Sequence, residues 1–304
     1  MAEAITKIAA MSQKGVLGNF NQKKYPVNPV SYVNNLGVTS IHRFILTHPD
    51  MDHMDGIETF FNEFSPVNFW DTDNREVKEF GTGFNGGYNE DDWKFYVRLR
   101  DNGQAENPKR LVIYTGQSGQ FWNEGKDGEL GDGIHVIAPT PGLLQDAHNR
   151  DDYNDCSYVL LYRTNGYRIL FAGDSHDSTW NYILENHELD VTDIDLLVAP
   201  HHGRDSGRSF GFLDIVNPTL TLFGNAESEF LAYSAWNSRG LPKITNNQAG
   251  CVIVDAGTTP MSVFVSCESF AKASNPYTFS STKHDGFYYY GNIEAKRKRK
   301  SASM

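Results

Sequence analysis

The sequence predicts a mixed α/β fold, and three observations carry that prediction. Short apolar runs end abruptly in His, Asp or Gly, an Asn-Gly pair joins two of those runs, and helix-like stretches lie between others. Strands interleaved with helices build layered folds, because each apolar sheet face must be covered by another element.

The first run, residues 43–47, carries Phe44, Ile45 and Leu46 and passes straight into His48. A helix-like stretch at 56–64 follows. Residues 71–110 then change character, with polar and glycine-rich segments at 71–74 and 81–90 ahead of a short helix at 92–99. We expect this insertion to be a surface loop of the kind that makes substrate contacts. Runs at 157–163 and 167–172 flank Asn165-Gly166, and both residues tolerate the positive φ of a type I′ turn, so a hairpin is predicted. It ends at Gly173-Asp174. A helix at 178–185 precedes the run 194–199, which leads into Pro200-His201-His202-Gly203, and runs at 219–223, 251–254 and 262–265 complete the strands.

The 304 residues hold 27 Lys and Arg against 38 Asp and Glu, a net charge of −11, which argues against broad electrostatic binding of nucleic acid. A hydrophobic fraction of 39% with 13% aromatics supplies a core and excludes a disordered chain. No long uncharged apolar run occurs, so no membrane span is expected, and the start lacks a basic segment followed by an apolar block, so the expected location is cytoplasmic. Cys156, Cys251 and Cys267 are odd in number and share no metal-type spacing, which supports neither a disulfide framework nor a thiolate zinc site.

The chemistry concentrates in His48-Pro49-Asp50-Met51-Asp52-His53, where four metal-ligating side chains stand within six residues at a strand end. Two carboxylates and two imidazoles gathered without partners are costly to bury, and a metal ion is the economical partner. His48 and Asp50 are placed to face one ion while Asp52 and His53 face a neighbour, the arrangement of a two-metal site. Asp174 at the hairpin end is placed to bridge, and His201-His202-Gly203 brings imidazole to a third strand end.

These residues resemble the metallo-β-lactamase-fold hydrolases, and within them the hydrolase domain of the ComEC-type competence proteins. The resemblance rests on Thr47-His48-Pro49-Asp50-Met51-Asp52-His53, Asn154-Asp155-Cys156-Ser157, Ala172-Gly173-Asp174 and Pro200-His201-His202-Gly203, and it covers residues 30–265. It implies a four-layer αββα sandwich and hydrolysis with two divalent ions, Zn2+ or Mn2+. The implied first site is His48 and Asp50, with Asn154 or Asp155 where the superfamily has a further histidine. The implied second site is Asp52 and His53, closed by His201 or His202, with Asp174 bridging. We expect His201 as the ligand and Asp52 and His202 as catalytic groups, with Asn154, His176 and Arg204 near the substrate.

The resemblance departs at the start, where the family's opening pair of strands has no counterpart in the first 47 residues. The first hairpin is therefore expected to be lacking or altered, leaving an edge that a second copy of the chain would cover. The expected organisation is an N-terminal segment at 1–29, a hydrolase domain at 30–270 and a tail at 271–304 with a solvated basic end. The leading functional expectation is a phosphodiesterase or nuclease. A small-molecule ester, lactone or thioester hydrolase and a non-catalytic binding protein are the alternatives. Lys94, Arg98, Arg100, Lys109, Arg110, Arg204 and Arg208 are the candidates for a basic groove.

Overall fold

The computed structural model describes residues 27–79, 88–101, 107–119, 122, 131–276, 279 and 283–296. The elements run α1 (Pro29–Asn35), β1 (Arg43–Ile45), α2 (Ile57–Phe64), β2 (Asn68–Trp70), α3 (Glu90–Asp101), β3 (Lys109–Leu111), β4 (Ile134–Ala138), α4 (Pro141–Arg150), β5 (Val159–Thr164) and β6 (Tyr167–Phe171). They continue through α5 (Asp177–Asn186), α6 (Glu188–Val191), β7 (Leu196–Val198), α7 (Leu213–Val216), β8 (Leu220–Phe223), α8 (Tyr233–Asn237), β9 (Lys243–Thr245) and α9 (Asn246–Ala249). The described chain closes with β10 (Val252–Asp255), β11 (Met261–Val265), α10 (Glu268–Ser274), β12 (Lys283–His284) and β13 (Phe287–Ile293).

Three sheets result. β1, β2 and β3 form a parallel sheet of three strands, β4 to β9 form a six-stranded sheet in chain order, and β10-β11-β13-β12 form an antiparallel sheet of four. In the six-stranded sheet β5 is antiparallel to β4 and β6, whereas β6, β7, β8 and β9 are mutually parallel. The predicted hairpin joins β5 and β6, with Asn165 at φ 48° and Gly166 at φ 86°.

Side chains alternate across a strand, and that alternation divides the core. Leu161, Leu170, Leu197 and Phe223 face one side of the six-stranded sheet and pack on Trp180 and Ile183 of α5 and Leu213 of α7. Tyr167, Ile169, Leu196 and Leu220 face the other side, against Met261, Val263, Val265 and Tyr290 of the four-stranded sheet. Val136 and Leu160 meet Trp70 of β2. Phe69, the next residue along β2, turns to the opposite face and packs on Phe61 of α2 and Trp93 and Tyr96 of α3. The described residues form a mixed α/β structure of several sheets with helices packed against them, compatible with an α/β sandwich. Phe69 is fully buried between these layers, and its removal would cost about 3–5 kcal/mol.

Two expectations about organisation change. The insertion at 71–110 is more than a surface loop, because α3 buries Trp93 and Tyr96 in the core and β3 pairs in parallel with β2. The region after 270 is likewise part of the sandwich rather than a tail. β13 lies between β11 and β12 and buries Tyr290 and Ile293. The basic residues 297–300 and the segment 1–26 lie outside the described residues, as do the insertion's residues 80–87. Among the described residues, α1 rather than a hairpin precedes β1.

Candidate metal centre

The centre forms at the carboxyl ends of the parallel strands, where open α/β sheets place their ligands. β6 is followed by Ala172-Gly173-Asp174, β7 leads into the turn Pro200–Gly203, and β8 is followed by Gly224. β1 delivers Thr47-His48 to the same edge, held there by the hydrogen bond from Tyr158 N to Thr47 O at 2.9 Å. Beyond it, Asp52 and His53 sit on the short turn Met51–His53, while Met51 and Met54 bury into the core below. Anchoring the two methionines leaves the polar side chains of that turn toward the centre.

Local backbone needs explain several neighbours. Gly173 has φ 51°, and a Cβ there would lie 2.7 Å from Ser157 Cβ. Ser157 Oγ accepts from Asp174 N at 3.0 Å, and His201 N donates to Gly173 O at 3.0 Å. His201 and His202 are both left-handed, at φ 48° and 58°, a conformation that non-glycine residues hold only when the surroundings impose it. A Cβ on Gly224 would sit 2.7 Å from His202 Nδ1, so glycine is required for the ring to lie where it does.

Two groups of side chains converge: His48, His53 and Asp174 in one, Asp52, His53 and His202 in the other. His48 Nε2 is 3.6 Å from Asp50 Oδ2 and 3.8 Å from Asp174 Oδ2. His53 Nε2 is 3.3 Å from Asp174 Oδ1 and 3.2 Å from His202 Nε2, and His202 Nε2 is 3.1 Å from Asp52 Oδ2 and 3.4 Å from Asp174 Oδ2. Ligand atoms about 2.1 Å from a tetrahedral ion lie about 3.4 Å from one another. The observed spacings bracket that value.

His48 fits a cation most clearly. Its ring is buried, and Nε2 has no hydrogen-bond partner among the described residues. Nδ1 is engaged with Thr47 Oγ1 at 3.0 Å, the kind of contact that orients a metal-binding imidazole. The residues therefore fit a bound divalent ion.

Electrostatics agree. Burial would raise the Asp174 carboxyl, but His53, His48 and His202 overcome it and hold the group well below the usual carboxylate range. Asp50 behaves likewise, with His48 and Lys78 outweighing burial, and Asp52 is lowered against burial by His202 and His53. Burial would lower His53, but Asp174 and Asp52 raise it, so an ion bound there would displace a proton from the ring. Carboxylates kept ionised are ready to bind cations.

Other expected site residues are placed differently. Asp155, expected as a ligand, caps α5 instead: Oδ1 accepts from His176 N at 3.0 Å and Thr179 N at 3.1 Å, and Oδ2 from Arg150 at 3.2 Å. Its oxygens are committed to the protein, so it is removed from the ligand set. Asn154 lies on the same turn with Oδ1 buried and without a hydrogen-bond partner. His202, rather than the expected His201, converges with Asp52 and His53. His201 Nδ1 is instead shared between Ser206 Oγ at 2.9 Å and His176 Nε2 at 3.0 Å, while its Nε2 lies 3.7 Å from Asp174. Burial pushes the His201 imidazole down to about 4, with Asp174 opposing and Arg208 reinforcing.

The expected basic groove resolves into separate contacts. Arg110 pairs with buried Asp71 at 2.7 Å, Arg100 with Asp101 at 2.8 Å, Arg98 with Glu58 at 3.3 Å and Lys94 with Glu90 at 3.0 Å. Arg204 covers the Phe230 ring, and Arg208 is buried with Nη1 donating to Ser175 O. Lys78 is the residue that sequence reasoning missed. Its ammonium lies 3.1 Å from both Asp50 and Glu76. It follows Asp50 by 28 residues with no motif around it, so no local signal pointed to it.

In comparisons with known proteins, the chain matches no family model and no curated protein.

Proposed function

We propose that the chain is a metal-dependent hydrolase that uses two divalent cations to act on a phosphodiester. The observation that carries this reading is His48 Nε2, buried without a hydrogen bond yet set between Asp50 and Asp174 at 3.6 and 3.8 Å. A buried polar atom without a partner costs about 1–3 kcal/mol, and a shared cation removes that cost. The sandwich layers and the ligands at strand ends support kinship with the metallo-β-lactamase-fold hydrolases.

In this reading His48 and Asp174, with Asp50 beside His48, would hold one cation and Asp52 and His202 the other, and His53 belongs to both groups of side chains. Bound divalent cations supply Lewis acidity and a nucleophilic water at neutral pH. Three carboxylates in the set suit Mn2+ as well as Zn2+. Asp52 has the most exposed carboxylate of the three, with 44% of its side chain accessible, and it orients the attacking water. Lys78, 3.1 Å from both Asp50 and Glu76, holds the Asp50 carboxylate in position.

A second reading, a small-molecule ester, lactone or thioester hydrolase, is favoured by the pairing of Lys94, Arg98, Arg100 and Arg110 with carboxylates. Those side chains are spent on neighbours rather than on a polyanion.

The test is metal analysis of the purified protein, then assays of Mn2+- and Zn2+-loaded samples on single-stranded DNA, RNA, bis(p-nitrophenyl) phosphate and p-nitrophenyl esters. Asp52→Ala and His53→Ala are each expected to lose roughly 100-fold or more in activity, beyond what outer-sphere changes cost. Full activity in both variants, or a protein that takes up no divalent metal, overturns the reading.

A further inference from the structure

A cavity of about 470 Å³ lies beside the metal centre and shares His53 with it. Its walls are Pro29 and Val30 of α1, Phe44 of β1, and Ile57 and Phe60 of α2. The Phe44 and Phe60 rings lie 5.2 Å apart and make one aromatic wall. The volume falls within the range of roughly 300–1,000 Å³ typical of small-molecule pockets.

Three of the polar atoms around this cavity are already engaged. Asn28 Oδ1 accepts from Ser31 N at 3.0 Å, Asp55 Oδ1 accepts from Asn89 N at 3.0 Å, and Gly56 N donates to Asp92 Oδ2 at 2.9 Å. A ligand therefore meets the apolar wall of Val30, Phe44, Ile57 and Phe60, with exposed Asp55 and Thr59 also on the lining, and that wall ends at an imidazole of the metal centre.

We infer that this cavity seats one uncharged, apolar arm of the substrate, an aromatic ring or a short acyl chain, while the scissile group lies at the cations. The inference rests on the hydrolase reading and narrows its substrate class to compact esters or phosphodiesters with one apolar arm. A polynucleotide strand fits less well, because it carries a phosphate on either side of each linkage, and a charge set against Phe44 and Phe60 would lose its hydration without compensation.

Thr59 lines the cavity and is exposed, so Thr59→Trp fills the space without entering the core. The experiment compares benzylphosphonate with methylphosphonate by calorimetry on the metal-loaded protein, wild type and Thr59→Trp. Burial of the phenyl ring should make the wild type prefer benzylphosphonate by roughly tenfold or more. In Thr59→Trp that ratio should fall to near one. Equal affinity for the two probes in the wild type, or the same preference in both proteins, overturns the inference. Because binding is read without turnover, the pocket and the hydrolase reading fail separately: a preserved tenfold preference in a protein that hydrolyses nothing keeps the pocket and sinks the reaction. Active hydrolysis with no preference for the benzyl arm does the reverse.

Discussion

His202 and Asp52 are 150 residues apart in the chain, yet His202 Nε2 lies 3.1 Å from Asp52 Oδ2. The contact joins the turn after β7 to the turn after β1, and it settles which of two adjacent histidines faces the acidic motif. His53 Nε2, 3.2 Å from the same His202 nitrogen, completes the group.

If this group holds the second cation, His202→Ala should retain one divalent equivalent where the wild type retains two. His201→Ala should retain both. Elemental analysis after dialysis reads the stoichiometry directly, and the reverse order of loss would return the ligand role to His201.

Thr47 supports the first site from behind, through its contact with His48 Nδ1 at 3.0 Å. Thr47→Val keeps the shape and removes that contact. Metal affinity, measured by competition with a chelating dye, should fall by roughly 10–100-fold. An unchanged affinity would mean that packing alone orients the ring.

Asp155 offers the opposite signature. Its carboxylate holds two backbone amides of the α5 region and Arg150, so Asp155→Ala should destabilise the fold by about 3 kcal/mol while leaving metal stoichiometry intact. Burial would raise this carboxyl, but the Thr179 amide, Ser178 and Arg150 lower it. The stability it contributes is therefore complete above the ordinary carboxylate pKa and is lost as pH falls through the folded-state value. Denaturant titrations of wild type and variant should converge on acidification. Loss of metal without loss of stability would restore Asp155 to the ligand set.

Lys243 on β9 gives an alkaline counterpart. It is 1% exposed, hydrogen-bonded to Asn237, and burial pulls its ammonium from 10.5 down to about 8. Between those two values the unfolded chain holds more protons than the folded one, so stability rises with pH across that window. The gain is on the order of 3 kcal/mol. Lys243→Met should remove this rise, read as the difference between wild-type and variant unfolding free energies from pH 7 to 10. Parallel curves would show that Lys243 does not titrate in this window.

The strands legible in the sequence were those with continuous apolar runs, such as β5, β6, β7 and β8, and the Asn165-Gly166 turn was equally plain. β2, β3 and β9 escaped because Asn68, Lys109, Arg110 and Lys243 break their short runs, so each draws its order from parallel partners rather than from a local apolar pattern. α3 was legible as a short helix at 92–99, but the glycine-rich stretch before it suggested a surface loop, and its Trp93 and Tyr96 became core residues once α2 offered a surface to pack on. β13 was hidden the same way, since a strand between two others is recognised by its neighbours.

By itself the sequence determined that His and Asp residues gather at strand ends, because residue type and distance along the chain are local facts. It also pointed to Asp52 and Asp174, which the fold brings together with His48, His53 and His202. Only the tertiary structure decided that His202 rather than His201 joins them, that Asp155 turns away to hold a helix, and that Lys78 arrives beside Asp50. A ligand set is a set of directions in space. Here those directions depend on two successive left-handed residues, His201 and His202, and on the close approach that Gly224 permits, neither of which is written in the spacing of the motif.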